Sequence, residues 1–175
     1  MLHESTIYKL VLEVAHKHEI NIAIAGGYPR DIALGRTPKD LDLVSWSENG
    51  NFKNWHDFEE ELKANDLVIE SWDLNPPSAV DDTRVESVLK LKGNIDVILW
   101  GSQYGSLEEV VDNFDFNINQ WVLFKHGPIF LGKNYKVLTQ LCGFEYTVSE
   151  DRVLKMINIA KELNWSTKEC QKKMK

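Results

Sequence analysis

What this sequence has little of narrows its function first. Its two cysteines, Cys142 and Cys170, lack metal-type spacing and read as free thiols in a reducing compartment. Five histidines form no ligand pattern, and His16 and His18 fall near the end of an amphipathic helix, where surface positions are expected. No apolar run approaches the roughly 20 residues that a membrane-spanning helix needs, so no membrane partner is expected. The N-terminus lacks a basic region followed by an apolar stretch, which predicts no secretory signal and a cytoplasmic location. Positive charge is short as well: 20 Lys and Arg against 27 Asp and Glu leave a formal net charge of −7. That disfavours a broad electrostatic grip on nucleic acid, which rests on many Lys and Arg contacts to phosphate. One local excess remains, five lysines against two glutamates from Lys161 to Lys175, and a solvated helix end explains it most simply.

What is present is enough chain for one domain with a real core. Ser5–Glu19 carries Ile7, Leu10, Val11, Val14 and Ala15 at helical spacing, with Ser5 or Thr6 as cap, and is expected to lie across a sheet. Ile22–Ala25 suits a buried strand. Gly26-Gly27 then allows a tight turn and close approach to a ligand. Pro29 fits the first turn of a following helix, and Gly35 stops that helix after about two turns.

A second apolar run opens with Asp40-Leu41-Asp42. Strand side chains alternate, so both carboxylates emerge on one face while Leu41 and Leu43 point inward. Two acids on one face repel each other unless a cation sits between them. A hard metal such as Mg²⁺ takes such a pair when it also holds substrate phosphates. The plain alternative is a strand end with solvated acids, since a lone D-x-D is a weak signal.

Joined to the Gly-Gly turn, the stretch GGYPRDIALGRTPKDLDLV resembles the nucleotidyltransferase signature of the DNA polymerase β superfamily. More narrowly it is similar to the head domain of class II CCA-adding enzymes and bacterial poly(A) polymerases. Their pattern runs G-G-x-V-R-D, then a Leu-Gly-Arg turn, then D-x-D. Gly26, Gly27, Arg30, Asp31, Leu34, Gly35, Arg36, Asp40 and Asp42 fall in place, with Pro29 where Val is usual. The resemblance implies an α+β fold: a mixed-sheet, polymerase β-like head with flanking helices and C-terminal neck-like helices. The implied division is a head over 1–141 and neck-like helices over 142–175, packed as a single compact unit.

Further along, Trp55–Ala64 reads as a helix and Leu67–Trp72 as a strand. Asn75–Asp82, with two prolines and two acids, reads as a flexible connection. Val85–Leu91 and Ile95–Trp100 are β-rich runs joined by Lys92-Gly93-Asn94, a hairpin that completes the same sheet. Asp96 in the second run is on its own reading a solvent-facing acid; by the resemblance it is the third carboxylate, beside the D-x-D strand. Relatives read E-V-(A/T)-T-F-R there, so Trp100 stands in place of an Arg. Ser106–Val111 reads as a short helix. Asn113–Asn119 then resembles R-R-D-F-T-I-N: Asp115, Phe116, Ile118 and Asn119 match, while Asn113 and Phe114 replace two arginines, which weakens phosphate binding. On its own Asp115 reads as a turn or cap residue. His126-Gly127-Pro128 is expected to turn, Ile129–Leu131 to be a strand and Lys133–Leu141 a helix. Thr147–Glu150 has capping-box spacing before a long amphipathic helix with Val153, Met156, Ile157, Ala160 and Leu163 on its buried stripe. That helix matches R-x-x-R-x-x-R at Arg152, with Lys155 and Asn158 at the later positions. Ser166 is expected to cap a final short helix.

The resemblance implies a metal-dependent nucleotidyltransferase using Mg²⁺ or Mn²⁺, with ATP or another nucleoside triphosphate as donor. Asp40, Asp42 and Asp96 are the implied catalytic and metal-binding residues. Gly26, Gly27, Arg30, Asp115, Asn119, Arg152 and Lys155 are the implied nucleotide contacts, with Arg36 or Lys39 as further cations. For Arg30, Arg36 and Lys39 a surface salt bridge is the alternative. The acceptor stays open: an RNA or tRNA-like 3′ end, a protein or small molecule, or none in a non-catalytic nucleotide-binding relative. The longer relatives continue into helices with an E-D-x-x-R motif for base selection, which this sequence does not include. A dimer that pairs the C-terminal helices is a further expectation.

Overall fold

The computed structural model describes residues 4–48, 53–73, 84–141, 148–168 and 170. In chain order the helices are α1 (Glu4–Lys17), α2 (Gly27–Ala33), α3 (Lys53–Ala64), α4 (Leu107–Asp112) and α5 (Glu150–Glu162). The strands are β1 (Asn21–Ile24), β2 (Leu41–Trp46), β3 (Val68–Asp73), β4 (Val85–Leu91), β5 (Ile95–Trp100), β6 (Trp121–Phe124) and β7 (Gly127–Phe130), with a 3₁₀ turn at Asn117–Asn119. This is the expected α+β architecture. The elements gather into two compact units, one of Met1–Ile24 with Pro38–Val110 and one of Ala25–Thr37 with Val111–Lys175. This partition follows contacts, whereas the head and neck at residue 141 follow correspondence with longer relatives. Among the described residues no helix is long and apolar enough to cross a membrane.

The first unit is built on a five-stranded sheet ordered β1-β2-β5-β4-β3. Only β2 and β5 run parallel; the other neighbours are antiparallel. Alternation gives the sheet one apolar face: Leu41, Leu43, Leu89, Leu91, Ile95, Val97 and Leu99 are all buried. Burying each such side chain contributes roughly 1.5–3 kcal/mol. α1 buries Ile7, Val11, Val14 and Ala15, as its spacing predicts, and packs along β1 and α3. α3 contributes Trp55, Phe58 and Leu62. Lys17, the last residue of α1, and His18, just past it, both reach the Glu61 carboxylate at 2.6 Å, which ties the two helices together. The β4–β5 hairpin forms where expected, with Gly93 (φ 83°) and Asn94 (φ 56°) supplying its left-handed turn residues. The expected connection Asn75–Asp82 lies outside the described residues.

The second unit pairs α2 with the β6–β7 hairpin and the 3₁₀ turn. Its core joins Phe116, Ile118, Leu138, Met156, Ile157, Ala160 and Trp165. Three local expectations need correction. The turn between β6 and β7 is Lys125-His126, and Gly127 and Pro128 already belong to β7, because Gly127 pairs with Phe124. Lys133–Leu141 is not a helix: Asn134 and Lys136 adopt left-handed angles (φ 57° and 67°), and Val137 bridges to Ser166. The buried Asn117 side chain holds this segment in its non-helical path by donating to the carbonyls of Lys133 (3.1 Å) and Val137 (2.8 Å) and accepting from Thr139 N–H (2.8 Å). The α5 cap is Ser149, whose hydroxyl accepts from Arg152 N–H at 3.3 Å. Thr147, the expected cap, lies outside the described residues, as does Cys142. Ser166, expected to cap a final short helix, forms the bridge to Val137 two residues before the helical Lys168. Cys170 is buried, its thiol donating to the Leu138 carbonyl at 3.4 Å.

Candidate active site

In the first unit the parallel pairing of β2 with β5 sets Asp42 directly beside Asp96 in register. Side chains at paired positions share a face, and adjacent strands lie about 4.8 Å apart, so the two carboxylates are neighbours. Asp40 precedes β2, and alternation across Leu41 turns it toward the same face. The Leu41 N–H donates to the Asn94 carbonyl at 2.9 Å, which pins the start of β2 to the β4–β5 turn. Asp96 is half-buried and its carboxyl is held above the usual range near 3.8: burial is the main cause, the Asp40 charge adds to it, and Lys90 opposes both. Asp40 therefore acts electrostatically on Asp96.

These donors suit a hard cation in type, being carboxylate oxygens on one face. Among the described residues no group of three or more His, Cys, Asp or Glu side chains closes around a metal position. Mg²⁺ does not require such a cage, since it is usually held by one or two carboxylates with water and substrate phosphate as the other ligands. Asp42 and Asp96 are the pair that fits that role, with Asp40 beside them.

The implied nucleotide contacts all lie in the second unit, where most of them join one network. Gly26 (φ 90°) takes the turn conformation expected of glycine, but its N–H already donates to the Trp121 carbonyl at 2.9 Å. Gly27 opens α2, and a Cβ there would meet the Arg30 guanidinium at 3.4 Å. Arg30 is 5% exposed. Its Nε donates to Asp31 Oδ1 at 2.8 Å, its Nη2 lies 2.8 Å from the same oxygen, and its Nη1 donates to Asn119 Oδ1 at 2.8 Å. Asn119 Nδ2 faces Met156 Sδ at 3.5 Å and Asp115 Oδ1 at 3.4 Å. Asp115 Oδ2 accepts from Arg152 Nε at 2.6 Å. Arg36 lies against Glu162 at 2.9 Å, with Asp31 at 3.9 Å. Arg30, read from the sequence as a phosphate contact or a surface salt bridge, is a buried paired group. Lys155 is exposed on α5, and Lys39 is exposed in the first unit.

Two residues were passed over in the sequence although the signal was there. Asp31, adjacent to Arg30 in the motif, is its counter-ion. Lys90 faces Asp96 across the β4–β5 hairpin, a pairing that follows from counting outward from the Lys92-Gly93-Asn94 turn. Trp100, where an Arg was expected, is buried, edge-on to Tyr104 (5.3 Å, 84°), and the guanidinium of Arg84 lies 5.7 Å over its ring.

No protein-family model matches the sequence, and no curated protein matches it either. Solved structures do. A CCA-adding enzyme in complex with CTP superposes with a TM-score of 0.57 at 18% identity, over 91% of this chain and 37% of that one. The Thermotoga maritima CCA-adding enzyme complexed with tRNA gives 0.54 at 19% identity, over 87% of this chain and 36% of that one. A tRNA-processing enzyme in an apo form gives 0.53 at 19% identity, over 93% and 46%. The chain thus spans less than half the length of these proteins. It has the nucleotidyltransferase-like α+β fold that the CCA-adding enzymes carry.

Proposed function

We propose that the protein is a metal-dependent nucleotidyltransferase that moves a nucleoside monophosphate from a triphosphate to an acceptor hydroxyl, the favoured acceptor being an RNA 3′ end. The observation that carries this reading is the in-register pair Asp42 and Asp96 with the Asp40 charge beside it, on the fold of CCA-adding enzymes. Complexes of such enzymes with CTP, ATP and tRNA support a nucleoside triphosphate and RNA as partners.

Chemically, the acceptor oxygen bonds to the α-phosphorus, the bond from that phosphorus to the β-bridging oxygen breaks, and pyrophosphate leaves. The hydroxyl proton passes to a base beside the acceptor, and Asp96 is the carboxylate proposed for that side of the site. Asp40, Asp42 and Asp96 would hold Mg²⁺ or Mn²⁺, Asp40 and Asp42 on the triphosphate side, and the cation would supply charge neutralisation at the phosphates and a more acidic acceptor hydroxyl. In the second unit we assign Gly27, Arg152 and Lys155 as nucleotide contacts, with Gly26, Arg30, Asn119 and Asp115 as the internal frame behind them. The head and neck division at residue 141, a cytoplasmic location and a dimer through the C-terminal helices complete the proposal.

Incubation with each labelled nucleoside triphosphate, Mg²⁺ or Mn²⁺, and total tRNA tests it. Label in RNA supports the reading. Label in protein instead supports nucleotidylation of a protein, which the net charge of −7 leaves electrostatically reasonable. Wild-type turnover by Asp42→Ala would refute the site.

A further inference from the structure

The carboxylate pair belongs to a longer row. Asp42 pairs with Asp96 on β5, Asp96 with Lys90 on β4, and Lys90 with Glu70 on β3, so four charged residues cross four strands on one sheet face. The next row on that face is Val44, Ile98, Val88 and Trp72, paired in the same order. The register shift in β4 lies at Val85/Ser87, away from these positions, and that in β3 ends at Glu70, from which the pairing to Trp72 runs on without a break. Toward β3 the face opens: Lys90 is exposed, Val88 and Ile98 are half-buried, and Trp72 is 44% exposed on the outermost strand. Lys90 is the only cation in the row, between the acids Asp96 and Glu70.

We propose that Lys90 and Trp72 form the acceptor subsite, holding the last nucleotides of a single-stranded RNA whose 3′ hydroxyl reaches Asp96; this rests on the RNA-acceptor reading above. The chemistry of the two rows fits that occupant. An ammonium one strand from Asp96 engages the phosphate preceding the terminal sugar, and without it this row would offer only acids. An exposed indole next to Val88, which in turn pairs with Ile98, offers a flat apolar surface on which a base stacks, whatever its identity. Trp72 lies two strands and one row from Asp96, about 10 Å across the strands and about 7 Å along them. That is within reach of the terminal residues of a strand whose end sits at the carboxylates. Glu70 sits at the outer end of the row and works against phosphate binding.

The test is a fluorescence-anisotropy titration of a single-stranded RNA of roughly 12 nucleotides, a length that covers such sites, without nucleotide, alongside the labelling assay. Trp72→Ala is expected to weaken binding by roughly 5-fold or more, the loss of one stacked base. Lys90→Gln is expected to reduce the slope of log affinity against log salt by about 0.7, one phosphate contact to a single strand. Glu70→Gln is expected to tighten binding. In the labelling assay both weakening variants raise KM for RNA; Trp72→Ala leaves KM for the nucleotide unchanged, while Lys90→Gln, whose charge acts on Asp96, is judged by its salt slope. All three positions are exposed, and unchanged thermal unfolding confirms that the fold is kept. If wild type binds the RNA and Trp72→Ala and Lys90→Gln bind it equally well with the same salt slope, the subsite is wrong while the transferase reading stands. Label appearing only in protein removes the RNA reading and this inference with it.

Discussion

Asp115 and Arg152, 37 positions apart in the chain, meet in a 2.6 Å ion pair that joins the segment before the 3₁₀ turn to the first turn of α5. The arginine side chain is 37% exposed and the aspartate 13%, so water weakens the pair without removing it. Arg152→Met is expected to lower stability by about 1 kcal/mol, measured by urea unfolding. If Arg152 also contacts nucleotide, KM for the triphosphate rises in the same variant.

Arg30 behaves differently because both partners are buried. Removing it leaves Asp31 charged at 7% exposure and Asn119 without its donor. Arg30→Met is expected to cost about 3–5 kcal/mol, and the double variant Arg30→Met/Asp31→Leu to recover much of that loss. Thermal unfolding of the three proteins checks it. A variant that kept wild-type stability and lost only nucleotide affinity would make Arg30 a ligand instead.

Asp42→Ala is expected to reduce transfer by roughly 10²–10³-fold or more, as removal of one electrostatic contact to a reacting centre does. Its fold is expected to be kept, since the substitution lies at the strand face that carries the acids and leaves the buried face of β2 intact. Single-turnover assays with unfolding curves separate the two effects.

The raised Asp96 carboxyl predicts a pH dependence of stability. Its carboxyl is held above the ordinary value near 3.8, so between that value and its raised native value the folded state binds the extra proton. Stability from this group is therefore greatest below the ordinary value and falls as pH rises through the native one. Asp96→Asn removes that slope and is expected to gain stability relative to wild type at neutral pH but not near pH 3, a difference read from paired urea titrations. Added Mg²⁺ is expected to narrow the gap at neutral pH if the carboxylates bind it.

Asn117 is 1% exposed and holds three backbone groups of the segment that was expected to be helical. Asn117→Ala strands those groups and is expected to cost roughly 2–4 kcal/mol. Hydrogen exchange at Thr139, whose N–H the side chain accepts, should accelerate well before global unfolding.

Much of the first unit was legible because its signals are local. The α1 stripe, the β4–β5 hairpin and the alternation around Leu41 each depend on residues a few positions apart, and each formed within a residue or two of expectation. The second unit was harder to read. Lys133–Leu141 has no breaker that announces a non-helical path; what decides it is a buried amide at Asn117 and a bridge to Ser166, both distant in sequence. The turn after β6 was misplaced because Gly127 and Pro128 look like turn residues, while pairing with Phe124 and Leu123 draws them into β7.

The sequence by itself determined the elements and the chemistry available to them: which face of each strand is apolar, where the glycine bend falls, and that acids flank Leu41. Tertiary structure alone decided which acids meet and which cation is spent internally. Parallel pairing of β2 with β5 puts Asp96 beside Asp42, and burial turns Arg30 toward Asp31 and Asn119. The reason is that periodicity records how one segment meets its own neighbours, whereas the choice of partner strand and the desolvation of a charge depend on segments that the chain brings together only on folding.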